Sequence, residues 1–403
     1  MSAPSREGHA PLTATSPGTS LSETSLFTNI AEIGPLLLAE APRFDVERKL
    51  TDVAAAAMKS TGVYRMAMPR AWGGPELDPL AQARAVEALS AIDGSAGWCA
   101  MIGSDGGYLT SFLEDEVGRA MYPDLDEVSV FVVAPGGAAI PVEGGYMVTG
   151  RWAFASGSAQ AGWFALGCIV PGPNGPKMLT PEIPEVRVCV FPRADVEAHD
   201  TWFTTGVRGS GSNDVSVTNV FVPAERTFSV LDGEIQRAGP LYAWRWMFTV
   251  NMLGVPLGIA RGALDEVIAL APGRKTARGA PAMEEPAFTN ALGEATALIR
   301  SAHAFAYTNL AEVWASLEAG EIPPPKLRAE HRLSLTHAMD SSVRAVDLLY
   351  RIAGSSALYS NRSSLDRRLR DIYTMRQHVL VNLSTYSAAG RVLLGLDSGV
   401  LGF

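Results

Sequence analysis

The chain is predicted to be α+β and mainly α. It divides into a flexible tail at 1–25, an N-terminal helical domain at 26–126, a central antiparallel β domain at 127–230 and a C-terminal four-helix bundle at 231–403. Three observations predict this order. Apolar residues recur at spacings of three and four along the first ordered stretch. Between Val128 and Pro223 they gather instead into short β-branched runs separated by Gly/Pro turns, and after Leu231-Asp232-Gly233 the helical period returns. A small all-β unit set between two helical segments obliges those segments to pack on each other to bury their apolar faces.

Each element follows from local chemistry. Residues 1–26 are rich in Ser, Thr, Pro and Gly and lack both a basic start and an apolar h-region, so they read as a tail and not as a signal peptide. From Phe44 to Thr61, Val46, Leu50, Val53 and Ala57 keep a helical period that Gly62 is suited to stop. VYRMAMPRAWGG reads as extended and closes at Pro69 and Gly73-Gly74; Leu80 to Ile92 is helical again. Asp93-Gly94-Ser95 breaks that helix and caps the next, which presents Trp98, Met101 and Ile102 on one face. In the β region, Val215 and Val217 alternate ahead of Val220-Phe221-Val222, with Asn219 as a turn or bulge residue. Pro171 to Pro184 carries five prolines and no period, which makes it a surface loop between strands. Helices are expected at 241–271, 287–318, 327–353 and 364–394.

Composition narrows the function classes. With 403 residues the chain can build two or three domains or one large composite core. A net charge of -9 argues against nucleic acid and anionic membranes as partners, and no apolar run is long and charge-free enough to span a bilayer. Cys99, Cys168 and Cys189 are scattered among apolar neighbours without a CxxC, so buried thiols in a reducing cytoplasm are expected and no metal site is.

One stretch concentrates suggestive chemistry. In NRSSLDRRLRDIYTMRQH, Arg367, Asp371, Met375 and His378 share a helical face, and Asp366 and Arg370 stand four apart, a spacing that supports helices by a few tenths of a kcal/mol. The apolar Val379, Leu380, Val381 and Leu383 follow, a setting in which His378 can transfer protons or simply pack at an interface. Together with VYRMAMPRAWGG, VEALSAIDGSAGW, GGYMVTGRWAFASGSAQAGW and GVRGSGSNDVSVTNVFVP, this stretch resembles the acyl-CoA dehydrogenase fold. More narrowly it is similar to the oxygenase components of the group D, two-component flavin-dependent monooxygenases. The resemblance runs in order from about residue 40 to about residue 395.

The resemblance implies a cofactor and roles. The cofactor is reduced flavin, FADH2 or FMNH2, which reacts with O2 to form a C4a-hydroperoxyflavin. Ser156 would sit at the flavin N5 edge, with Trp152 and Phe154 shaping the ring site. A fixed acceptor there prolongs the oxidant's life, because loss of the N5 proton releases peroxide. From the residues alone, Ser156-Gly157-Ser158 reads as a turn between strands, and the flanking motif is what points to the flavin. His378 would act at the C4a side as a near-neutral base, taking a substrate proton or holding the distal peroxide proton. Arg208 to Asn213 resembles the turn beside the flavin, which brings in Ser210 and Ser212 with Trp202 flanking; Arg274 is the phosphate-side candidate, with a solvated basic loop as the other reading.

Trp98, Tyr108, Trp244 and Trp246 could wall a flat, indole-like substrate, or serve as plain core. No GxGxxG opens a helix after a strand, so a separate NAD(P)H-dependent flavin reductase is implied, and the family assembles as homotetramers. Two departures bear on the substrate. The glutamate base of acyl-CoA dehydrogenases is missing: Asp397 is the sole acid after Asp371, and Ile235 to Leu264 has none. Gly97-Trp98 is also followed by no histidine, which disfavours a simple phenolate. The expected activity is therefore oxygenation of a small aromatic or heteroaromatic compound. An acyl-CoA dehydrogenase or oxidase with a displaced base is the alternative, and a helical binding scaffold without chemistry is the third reading.

Overall fold

The computed structural model describes residues 21–275 and 279–400. Most of the expected tail, and part of the loop that carries Arg274, lie outside these residues. The N-terminal helices are α1 (Glu23–Glu47), α2 (Asp52–Thr61), α3 (Pro79–Ile92), α4 (Gly94–Gly103), α5 (Gly106–Leu109) and α6 (Asp115–Met121). α1 begins ahead of Leu26 because Ser22 and Ser25 form a reciprocal capping box. The helix expected from Phe44 to Thr61 is in fact two. Arg48 turns left-handed at φ 55°, its guanidinium held by Asp200 at 2.6 and 2.8 Å, and Thr51 caps α2. Gly62 stops α2 at φ 82°, as the sequence predicts. VYRMAMPRAWGG is not extended; it forms two short 3-10 turns.

The sheet strands are β1 (Ser129–Val142), β2 (Gly145–Ala155), β3 (Trp163–Ile169), β4 (Pro171–Gly172), β5 (Gly175–Pro176), β6 (Val186–Pro192), β7 (Glu197–His199), β8 (Asn213–Pro223) and β9 (Thr227–Phe228). Their order is β7-β8-β2-β1-β3-β6-β9, with β4-β5 as a small hairpin in the proline-rich loop. The domain is mostly antiparallel, with one correction: β3 returns to the far side of β1 and runs parallel to it, across a break in register at the Pro135-Gly136 stretch. Asn219, at φ 55°, is the bulge in β8, its N–H held by the Thr149 hydroxyl at 2.8 Å.

The C-terminal helices are α7 (Pro240–Ala243), α8 (Gly254–Leu270), α9 (Pro286–Glu318), α10 (Pro325–Ala353), α11 (Leu365–Met375) and α12 (Ser384–Leu393). The expected 241–271 helix is broken by a 3-10 turn at Met247–Leu253, and the expected 364–394 helix ends at Met375. α8 packs on α3 through Gly254, Gly258 and Gly262, where a Cβ would stand 2.4, 2.3 and 2.3 Å from the carbonyls of Ala83, Glu87 and Ala91. This backbone-to-backbone seam joins the two helical segments into one core, and the β domain is seated against it. Among the described residues no helix is long and apolar enough to cross a membrane.

Candidate functional site

The site assembles where the end of β2, the start of α4 and the end of α11 meet. β2 finishes in a tight turn: Phe154 adopts φ 64° and the Ser156 N–H donates to its carbonyl at 2.9 Å. A left-handed phenylalanine is strained, and such strain collects at functional positions. The turn is stitched to residues 207–211. The Gly157 N–H donates to Ser210 O (2.8 Å) and the Ser158 hydroxyl to Gly211 O (3.0 Å). Val207, itself left-handed at φ 51°, donates its N–H to Asp371 Oδ1 at 2.6 Å, and the Gly209 N–H donates to Ser95 Oγ at 3.1 Å.

Two aspartates fix the helices. Asp93 Oδ1 accepts from the Ser95 and Ala96 N–H groups at 2.9 and 3.2 Å and so caps α4, while Oδ2 pairs with Arg367 of α11 at 3.1 Å. Arg367 and Asp371, four apart on α11, thus make long-range contacts, to Asp93 and to the Val207 N–H; the Asp366–Arg370 pair forms at 2.9 Å. Burial, and then the Asp93 carboxylate nearby, push Asp371 up to about 7.

Trp98, one turn into α4, joins the parts. Its indole N–H donates to Ser156 Oγ at 2.9 Å, and its ring meets the His378 ring edge-on with centroids 5.4 Å apart. His378 does not continue the helical face of Arg367, Asp371 and Met375. α11 has ended, and the histidine is the extended residue that caps the turn Val379–Val381, its Nδ1 accepting the Leu380 N–H at 3.3 Å. With Nδ1 an acceptor, the neutral ring carries its proton on Nε2. Burial, and then the Arg332 guanidinium, push His378 down to about 4, below the near-neutral value expected of a base.

Behind Ser156 lie two more hydroxyls. Ser156 Oγ is 2.7 Å from Ser212 Oγ, Ser212 Oγ is 2.7 Å from Ser210 Oγ, and Ser210 Oγ donates to Val207 O at 2.7 Å. Ser210 and Ser212 are both buried and stand one layer inside the surface. On the open side, Phe154 is 70% exposed and meets Trp202 edge-on at 6.3 Å; the Trp202 indole donates to Val207 O at 3.0 Å. A Cβ built on Gly157 would touch nothing within 4 Å. An aromatic surface beside one buried hydroxyl, with open space next to it, fits a flat ring carrying a polar edge such as a flavin.

The other candidates fall elsewhere. Trp152 is buried in the sheet, its N–H donating to Gly167 O at 2.6 Å and its ring packed over Gly136, Gly137 and Gly150, so it supports β2 from the inside. The Tyr108 hydroxyl donates to Gln82 Oε1 at 2.9 Å, and Tyr108 borders a small cavity with Trp244 and Phe248. Trp246 packs on Phe248 at 5.8 Å. Arg274 lies over the Phe288 ring at 5.9 Å and beside Gly354, in contact with the bundle. Sequence reasoning missed Asp93, Asp371 and Arg332 as parts of the site. The Asp93 cap was visible, but its second oxygen's partner is 274 positions away and leaves no local signal.

Comparison with known proteins bears on the fold and the family. The family descriptions "Acyl-CoA dehydrogenase, N-terminal domain" and "Acyl-CoA dehydrogenase, C-terminal domain" match residues 37–125 and 252–383. The chain is 34% identical over 360 residues to the indole-3-acetate monooxygenase of Pseudomonas putida, covering 89% of this chain and 90% of that one. It is 31% identical over 356 residues to the flavin-dependent monooxygenase, oxygenase subunit HsaA, of Rhodococcus jostii (strain RHA1), covering 85% and 91%. The crystal structure of 3-HSA hydroxylase from Rhodococcus sp. RHA1 superposes with a TM-score of 0.85 at 28% identity, covering 93% of this chain and 99% of that one.

Proposed function

Because the chain belongs to the flavin-dependent monooxygenases built on the acyl-CoA dehydrogenase fold, and is therefore an oxidoreductase, we propose that it is the oxygenase component of a two-component system. It takes FADH2 or FMNH2 from a separate NAD(P)H-dependent reductase and transfers one oxygen atom of O2 to a small aromatic or heteroaromatic, indole-like substrate. The observation that carries this reading is Trp98. A single side chain holds Ser156 of the β domain by a hydrogen bond and His378 of the bundle by a ring contact, so the two candidate groups are gathered around one indole.

Reduced flavin, when bound, supplies the electrons that activate O2. The chain's own residues bind, orient and exclude water. Phe154 and Trp202 offer the flat ring an apolar surface, and Ser156 offers its N5 edge a hydroxyl. Neutral His378, with its proton on Nε2, donates a hydrogen bond to an oxygen of the oxidant or the substrate; it replaces the base of the sequence reading with a donor. The names of the relatives, an indole-3-acetate monooxygenase and an oxygenase subunit, support an aromatic substrate and a separate reductase.

The acyl-CoA reading finds no base here. Glu266, on α8, accepts hydrogen bonds from the Ser363 hydroxyl (2.8 Å) and the Ser364 N–H (2.7 Å) and lies 3.5 Å from Arg368. The test is rapid mixing of the protein with anaerobically reduced FMN or FAD and then oxygen. A transient flavin spectrum that precedes the oxidised form, and that decays faster with an indole-like substrate, is expected. Reoxidation at the rate of free flavin, with substrate present and with both cofactors, overturns the reading.

A further inference from the structure

The order of the hydroxyls behind Ser156 follows from the two ends of the chain, where one group can only donate and the other can only accept. A tryptophan N–H only donates, so Trp98 donates to Ser156 Oγ. Val207 O also accepts from the Trp202 indole at 3.0 Å and the Ser210 N–H at 3.1 Å, but two oxygens 2.7 Å apart need a proton between them and a carbonyl has none, so the single Ser210 hydroxyl proton lies toward Val207 O. Ser210 Oγ must then accept from Ser212, 2.7 Å away, which commits the Ser212 proton. Ser212 Oγ in turn must accept from Ser156, also 2.7 Å away, which commits the Ser156 proton. The chain therefore runs one way, Trp98 to Ser156 to Ser212 to Ser210 to Val207 O. Its end is anchored, because the Val207 N–H is held by Asp371 and its neighbour Gly209 by Ser95. Ser156 has a lone pair left over and no proton to offer the open side.

We propose that Ser210 and Ser212 are positioning residues that fix the Ser156 hydroxyl as an acceptor toward the open side, so that the site selects a flavin carrying a hydrogen on N5 over one that does not. The inference rests on the flavin reading above and deepens it. Reduced flavin presents N5–H, which the free lone pair accepts; oxidised flavin presents a bare N5 lone pair, which meets another lone pair. Because buried hydrogen bonds polarise one another along a chain, the outer hydroxyl is also a better acceptor than a lone serine.

The test reads binding and potential rather than turnover. Dissociation constants for oxidised and anaerobically reduced FMN and FAD are measured for wild type, Ser210→Ala, Ser212→Ala, Ser212→Thr and Ser156→Ala. In Ser210→Ala the Ser212 proton loses its carbonyl-bound acceptor and is free to point at Ser156. The Ser156 proton can then turn outward and donate to bare N5. The preference for reduced over oxidised flavin is expected to fall about tenfold, the scale of one net hydrogen bond. For a two-electron couple that lowers the bound-flavin midpoint potential by about 30 mV. Ser212→Ala should do the same, and Ser212→Thr should keep the wild-type ratio. Ser156→Ala should lose the preference by weakening the reduced form, which loses its acceptor, while the oxidised form is relieved of the opposed lone pair but gains no hydrogen bond to N5. Wild-type ratios in both Ser210→Ala and Ser212→Ala overturn the relay while leaving the flavin reading intact. A wild-type chain that binds neither form overturns both.

Discussion

His378 is a buried ring whose two nitrogens have different duties, and that difference can be measured. Nδ1 accepts from Leu380, so the nitrogen left to act on a ligand is Nε2–H. A donor can be replaced by an amide, whereas a base cannot. His378→Gln is expected to keep roughly a tenth or more of the wild-type rate of product formation, and His378→Ala to lose about a hundredfold, at the lower end of the range for a positioned catalytic group. Equal losses in both variants, with unchanged flavin binding, would return the residue to the role of base. The same burial sets a pH dependence of stability. Folded His378 takes up its proton near pH 4 while the unfolded chain does so near 6.5, so the unfolded state binds more protons between those values. Its contribution is complete above about pH 6.5 and is lost as the pH falls toward 4. Urea midpoints of the wild type at pH 7 and pH 4.5 should therefore differ by more than those of His378→Gln.

At the scale of elements, the site is held by contacts that helices and loops make through single atoms. Asp371 on α11 holds the Val207 N–H, and Asp371→Ala would leave that buried donor without a partner at a cost of about 1–3 kcal/mol. Asp371→Asn keeps the accepting oxygen. Because the carboxyl's folded value is raised to about 7, its contribution is largest at low pH and declines as the pH rises from about 4 toward 7. The asparagine variant should lack that decline and equal or exceed the wild type at pH 8, as chemical denaturation from pH 5 to 8 will show. The glycine seam makes a second prediction. A Cβ on Gly258 would stand 2.3 Å from Glu87 O, so Gly258→Ala should lower stability by about 3 kcal/mol, the overpacking scale. Gly293→Ala on α9 meets nothing within 4 Å and should stabilise by up to about 1 kcal/mol. Reading periods alone located α3, α9 and α10 well, because each carries a continuous apolar face. It overran α11 because Val379 to Leu383 is apolar enough to mimic continued helix, and it put Arg367 and Asp371 on one face without their distant partners because spacing sees only neighbours in the chain. Ser156 and His378 were singled out through their motifs; the contacts of Trp98 with both are long-range and were not visible there.

Over the whole molecule, the change of period from helix to strand and back made the domain order legible, whereas the parallel β1–β3 pair depends on a return path that no local pattern records. What the isolated chain leaves open to water bears on its assembly. Val379 is 74% and Leu394 79% exposed, and Leu383, Leu393 and Leu396 are exposed on the same C-terminal stretch. Large apolar side chains left exposed along one stretch mark an interaction surface. We expect this stretch to be buried against further copies of the chain, as in the homotetramer that the family resemblance implies. Val379 follows His378 directly and opens the turn that His378 caps, so a copy seated on Val379 also steadies the histidine. Light scattering should report a tetramer for the wild type and a smaller species for Leu394→Glu combined with Val379→Glu. That smaller species should keep the helical circular dichroism, since neither side chain is part of the core, yet form product poorly because the His378 turn has lost its support. A wild-type chain that is monomeric at micromolar concentration, or a dissociated variant with full turnover, removes the link between assembly and site.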